Sequence, residues 1–118
     1  MKPARPLWAE LAMELAGFSF IVISVALLWR NNLLLLAVAA VECLIGLCLW
    51  HDRLDLCFFA IIAVLGTAAE VVFVRFGVWQ YANPTWLGVP AWFPVAFGTT
   101  GLIGVRLART VTALCERR

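Results

Sequence analysis

Residues Leu33 to Trp50 read LLLLAVAAVECLIGLCLW, an apolar run interrupted by a single charge, Glu42. At ~1.5 Å per residue, a helix of about 18 residues covers most of the ~30 Å hydrocarbon core of a bilayer. A membrane strand would alternate apolar and polar residues. Here Leu33-Leu34-Leu35-Leu36 is continuous, and so is Phe58-Phe59-Ala60-Ile61-Ile62 further on. The stretch therefore predicts a transmembrane helix, bounded by Asn31-Asn32 before it and His51-Asp52-Arg53 after it.

Three more stretches of this kind flank it. One runs from about Leu11 to Trp29, carries Glu14 and ends at Arg30. Another runs from about Leu56 to Val74, carries Glu70 and ends at Arg75. The last runs from about Val89 to Leu107 and is closed by Arg106 and Arg109. The expected fold is all-α: a polytopic integral membrane bundle of four transmembrane helices, with residues 1–118 as one domain. Composition agrees, with 64% hydrophobic and 14% charged residues, against about 25% charged in soluble domains. A small globule cannot bury that much apolar surface. Disordered chains, coiled coils and ordinary soluble enzymes are excluded. A net charge of +2 is too small and scattered for nucleic acid. The first stretch has a basic start but no small residues at a cleavage position, so it is read as a helix of the mature protein.

Lys2, Arg5, Arg53, Arg106, Arg109, Arg117 and Arg118 fall on one side of these spans, and Arg30 and Arg75 on the other. The positive-inside rule then makes both termini cytoplasmic. Trp8 and Trp50 mark the inner boundary; Trp29, Trp79, Trp86 and Trp92 mark the outer one, as expected of an indole with an apolar body and one N–H. The first two links are short and predict that helices 1–2 and 2–3 are antiparallel neighbours. The third link, Phe76 to Gly88, reads FGVWQYANPTWLG. It predicts an ordered outer cap with a turn at Asn83-Pro84. Pro90 suits the first turn of helix 4, and Pro94 is placed to kink it.

Glu42 and Glu70 are the leading chemical candidates, because a charged carboxylate in a span costs a few kcal/mol on insertion scales. Ala39, Glu42, Cys43 and Gly46 share one helix face, as do Ala63, Gly66, Thr67 and Glu70. Small residues mark faces where membrane helices approach closely, so both acids are expected to point into the bundle. Their vertical offset of roughly 6 Å would allow a shared proton or a bridging water. Such a pair can handle protons, anchor a lipid headgroup, or bond as neutral carboxyls between helices. Glu10 and Glu14 lie near the N-terminus of helix 1, where the helix dipole favours an acid. Gly98, Gly101 and Gly104 recur every third residue in helix 4; they allow close packing or a cleft for a lipid chain. Cys43, Cys48, Cys57 and Cys115 form no CxxC pair, and His51 is not spaced with them as a zinc set. They read as small apolar fillers, with acylation the alternative. No hydrolase, zinc-protease or nucleotide-binding motif is present, so no metal and no cofactor is expected.

A resemblance accompanies this reading. The stretch GVWQYANPTWLGVPAWFPVAFGTTGLIGVRLA, Gly77 to Ala108, resembles the end of the membrane part of the Insig (insulin-induced gene) family. The matching positions are Gly77, Val78, Gln80, Tyr81, Pro84, Trp92, Pro94, Gly98, Gly101, Gly104, Arg106, Leu107 and Ala108, with Trp79 where the family has Tyr. GLCLWHDR, Gly46 to Arg53, and the Asn31-Asn32 pair are similar to further family segments. The resemblance implies a helical bundle that binds a sterol or other membrane lipid and regulates a membrane partner, without catalysis. It also implies that the Asp52-Arg53 loop meets that partner. Glu70, Tyr81, Gly88, Val89 and Pro90 more loosely resemble a pattern of carotenoid-modifying membrane enzymes.

The functional expectation is a small membrane protein that binds a lipid or isoprenoid between its helices and regulates or scaffolds a membrane partner. Glu42, Glu70, Gln80 and Tyr81 would supply polar groups, Gly101 would line the cleft, and Asp52 and Arg53 would face the partner. A second copy of the chain is another candidate partner. The alternatives are an isoprenoid or carotenoid enzyme using Glu70 or Glu42 as a proton donor, and an accessory subunit of a larger membrane complex.

Overall fold

The computed structural model describes residues 5–117. It contains four helices: α1 (Leu7–Leu28), α2 (Asn32–Leu49), α3 (Arg53–Arg75) and α4 (Phe93–Glu116). The described residues hold no strand beyond one isolated bridge, Trp86 to Val89. The helices α1, α2 and α3 are long and apolar enough to cross a membrane.

In α1 and α3 burial is inverted relative to a water-soluble bundle. The only buried residue of α3 is Asp55, and α1 buries only Glu14 and Ile21. Meanwhile Leu27, Leu33 and Val64 are 75%, 78% and 66% exposed. Acids inside and leucines outside are what hydrocarbon solvent demands, because there the polar group seeks protein and the apolar one needs no shelter.

Helix α4 is the hub. It packs on α1, α2 and α3, whereas α3 packs on α4 alone. Eight of its residues are buried, with Leu102 fully enclosed. Carrying Thr99, Thr100, Arg106 and Arg109, α4 is less apolar than the others and is not among the helices apolar enough to cross a membrane by composition.

Several expectations are corrected. Helices α2 and α3 are not neighbours: no packing contact joins them, although the link between them is only Trp50-His51-Asp52. Helix α4 takes the place beside each of them. Its glycines let α3 in close: a Cβ on Gly98 would lie 2.9 Å from the Phe59 ring, and one on Gly66 would lie 2.5 Å from the Phe97 ring. Helix α4 also starts at Phe93, not Val89, and continues to Glu116, past Leu107. Pro90 therefore precedes the helix. Pro94 occupies its first turn, where no intrahelical N–H is needed, and has no preceding turn to kink.

The outer cap is ordered by its own backbone. Gly77, with φ of 76°, ends α3. Val78 N–H donates to the Phe73 carbonyl and Gly77 N–H to that of Val74, the paired bonds of a Schellman closure. The turn expected at Asn83-Pro84 is not there: the chain bends at Ala82–Asn83, and its hydrogen-bonded turn lies at Leu87–Gly88. Both residues have positive φ, 52° and 80°, the combination of a type I′ turn, and Trp86 and Val89 exchange backbone bonds across it. Asn32 Nδ2 then ties the cap to α2, donating to Asn83 O and Thr85 Oγ1, while Asn83 Nδ2 donates to Trp29 O.

Candidate functional site

Where α1, α2 and α4 meet, the backbones come close at Gly17 and Gly46. A Cβ on Gly17 would sit 3.2 Å from Ile103 Cδ1, and one on Gly46 would sit 3.4 Å from Leu102 Cδ2. Beside this contact lies a cavity of about 390 Å³, lined by Met13, Ala16, Gly17, Phe20 and Ile21 of α1, by Glu42, Ile45, Gly46 and Leu49 of α2, by Trp50, and by Thr99 and Ile103 of α4. A cavity of about 150 Å³ holds benzene, so this one has room for a two- or three-ring body or a chain of comparable bulk. Phe20 and Ile45 on its rim are 64% and 55% exposed, so the cavity opens sideways toward the solvent of the apolar faces.

Three lining side chains carry polar hydrogens or oxygens, and two are already committed. Thr99 Oγ1 donates to Val95 O at 2.8 Å. Trp50 Nε1 donates to Glu10 Oε2 at 3.0 Å. The third is Glu42. Ser24 Oγ of α1 approaches Glu42 Oε1 at 2.5 Å and Phe20 O at 2.7 Å. One hydroxyl proton thus serves two acceptors, which leaves the Glu42 carboxyl under-satisfied and facing the cavity.

Glu70 is elsewhere. The Schellman turn at Gly77 folds the chain back along α3, so Trp79 Nε1 and Tyr81 Oη both donate to Glu70 Oε2, at 2.8 and 3.0 Å. Trp79 also meets Phe73 edge-on with centroids 5.2 Å apart, and Tyr81 meets Trp92 and Phe93 edge-on. Burial, then the bond to Glu70 and its charge, push the Tyr81 phenol above its ordinary range. Glu70 is thereby a clamp for the outer cap.

The expected ligand set is therefore divided. Glu42 lines the cavity; Glu70 and Tyr81 form the cap clamp; Gln80 is exposed. Gly101 faces Ile62 of α3, not the cavity, since a Cβ there would lie 2.7 Å from Ile62 Cβ. Glu42 and Glu70 lie on helices that do not touch, and each has its own partners, so the shared proton or bridging water between them is not formed.

Asp52 and Arg53 sit at the start of α3. Asp52 Oδ2 accepts from Arg106 Nη2 at 2.9 Å, and Arg109 Nη1 lies 3.5 Å away; Arg53 is exposed. Sequence reasoning missed the centre of this cluster, Asp55, which is fully buried and takes Arg106 Nε at 3.0 Å on each carboxyl oxygen. Asp55 also accepts the Asp52 N–H at 2.9 Å. The signal available was the Asp-x-x-Asp spacing at a helix start, that of a capping box. Glu14, also fully buried, accepts from Thr110 Oγ1 at 2.8 Å. The four cysteines are free, with Cys43 alone buried. Among the described residues no group of three or more acids, cysteines or histidines could hold a metal ion. No family model matches this chain, and no curated protein or solved structure does either.

Proposed function

We propose that this chain crosses the bilayer four times with both termini in the cytoplasm, and holds a lipophile in the cavity between α1, α2 and α4. The observation that carries this reading is the cavity itself: about 390 Å³ of apolar space, open at the side, with one under-satisfied carboxyl, Glu42. Many apolar contacts with few placed polar groups are the hallmark of small-molecule sites. The resemblance to the Insig family points the same way, toward a lipid or isoprenoid ligand and regulation of a membrane partner. Supporting the fourth crossing, α4 packs against all three apolar helices, with Thr99 and Thr110 buried and Arg106 paired to the buried Asp55. Supporting a partner, α4 is the only helix that α3 touches, and away from α4 and the cap its apolar surface is free.

The test is gentle purification followed by mass spectrometry of bound lipophiles, comparing the native chain with Gly46→Val. Valine adds methyl groups beside Leu102 and Thr99, at the cavity wall. A lipophile enriched over bulk membrane and lost in the variant is the expected result. Bulk lipid in bulk proportions from both proteins would refute the reading. Labelling of Cys115 from the cytoplasmic side, and not from outside, is the expected topology.

A further inference from the structure

We propose that the cavity is built for a lipophilic organic cation: a hydrophobic body carrying one quaternary or delocalised positive charge. This rests on the cavity reading above and narrows it to a ligand class. In a bilayer, apolar surface gains little by leaving lipid tails for a protein wall, since both are hydrocarbon. The polar contact must therefore do the selecting. Among the described residues, Glu42 is the only charged side chain lining the cavity. Its Oε1 meets Ser24, and its Oε2 accepts no hydrogen bond from within the described chain. The other polar lining groups, Thr99 and Trp50, have spent their donors on Val95 O and Glu10 Oε2. With Glu42 ionised, the described lining thus offers a carboxylate and no free donor. An anion or a carbonyl guest finds nothing to bind it. A cation finds a carboxyl and two aromatic side chains, Phe20 and Trp50, whose ring faces attract positive charge. Low dielectric strengthens that attraction relative to water. The second large cavity, about 420 Å³ between α1 and α4 and lined by Phe18, Trp92, Phe93 and Phe97 among others, has no charged side chain and lacks this selectivity.

The experiment is equilibrium dialysis of the full chain in detergent micelles, with empty micelles subtracted, against three probes of similar shape. These are tetraphenylphosphonium, its anionic counterpart tetraphenylborate, and neutral triphenylmethanol. Saturable binding of the phosphonium alone is expected. Glu42→Gln should weaken it at least about ten-fold, as loss of a charge-assisted contact does. Phe20→Leu, at an exposed rim position, should weaken it several-fold, while Glu116→Gln at the end of α4 should leave it unchanged. If Glu42→Gln fails to fold, the cation–anion comparison and Phe20→Leu decide on the native fold. Saturable triphenylmethanol binding that Gly46→Val abolishes, with no preference for the cation, overturns the charge assignment and leaves the cavity reading intact. Equal binding of cation and anion also overturns it. Absence of saturable binding for every probe, together with bulk lipid only in the purified protein, overturns both.

Discussion

Arg106 of α4 grips Asp55 of α3 with both ends of its fork: Nε lies 3.0 Å from each Asp55 oxygen, and Nη2 reaches Oδ2 as well as Asp52. The Asp55 carboxyl is fully buried and has no water to fall back on, while the Arg106 side chain keeps 20% of its surface exposed. Removing one member of such a pair strands the other. Asp55→Ala is expected to cost about 3 kcal/mol. Asp52, whose side chain is 59% exposed in its own pair with Arg106, should cost under about 1 kcal/mol when changed to Ala. Arg106→Lys keeps the charge but loses the fork and should fall between them. Thermal unfolding in micelles, followed by circular dichroism, ranks the three. Equal losses at Asp52 and Asp55 would refute the assignment of Asp55 as the anchor.

The glycines of α4 are expected to differ sharply although they recur at one spacing. Gly101→Ala would place a Cβ 2.7 Å from Ile62 Cβ. A Cβ sits on the backbone and cannot rotate away, so α3 and α4 must part, at about 1–3 kcal/mol. A Cβ on Gly104 meets nothing within 4 Å. Gly104→Ala should be neutral or stabilising by up to about 1 kcal/mol, because it removes backbone freedom from the unfolded chain. The same unfolding measurement decides, and destabilisation at Gly104 equal to that at Gly101 would refute the packing of α3 on α4.

That contrast shows where the sequence was legible. Apolar length and polar punctuation give the helices, and the spacing of Ala39, Glu42, Cys43 and Gly46 gives the inward face of α2, three of whose four members are buried. Periodicity names a face but not its neighbour. Short links suggested that α2 and α3 pair, whereas interlocking of Gly66 with Phe97 and Gly98 with Phe59 draws α4 against α3. With that neighbour unknown, the acids could not be assigned partners. Ser24 for Glu42, Thr110 for Glu14 and Arg106 for Asp55 all come from elsewhere in the chain. In the candidate site, Glu42 was legible as an intramembrane acid; the cavity beside it depends on how three helices converge.

Leu87 holds a φ of 52° at the first central position of a turn whose second position is Gly88. A branched side chain is strained there, and the type I′ geometry favours Asn or Gly. Leu87→Asn creates an Asn-Gly turn and is expected to stabilise the protein by about 0.5–1 kcal/mol. Gly88→Ala is expected to do the reverse, since its φ is 80° and a Cβ would lie 2.5 Å from Val74 Cγ1. Comparing the unfolding midpoints of the two variants tests the turn; destabilisation by Leu87→Asn would mean that the leucine side chain holds the cap in place.

Tyr81 is the single tyrosine of the chain, so its ionisation can be followed directly by tyrosinate absorbance. Burial raises its pKa above the ordinary 10.0, and the bond to Glu70 and the Glu70 charge raise it further. An unfolded chain loses the phenol proton near the ordinary value, while the folded one keeps it to higher pH. The stability tied to this difference is fully present below about pH 10 and is lost as pH rises from there through the folded value. Alkali should therefore loosen the cap, and tyrosinate should appear late and together with unfolding. Glu70→Gln removes the charge but not the burial, so its tyrosinate midpoint should drop part of the way toward 10.0 and remain above it. Tyr81→Phe removes one of the two donors to Glu70 Oε2, with Trp79 remaining, and should cost about 1 kcal/mol at neutral pH. A tyrosinate midpoint at the ordinary value in the folded native chain would detach Tyr81 from Glu70 and, with it, the clamp that orders the outer cap.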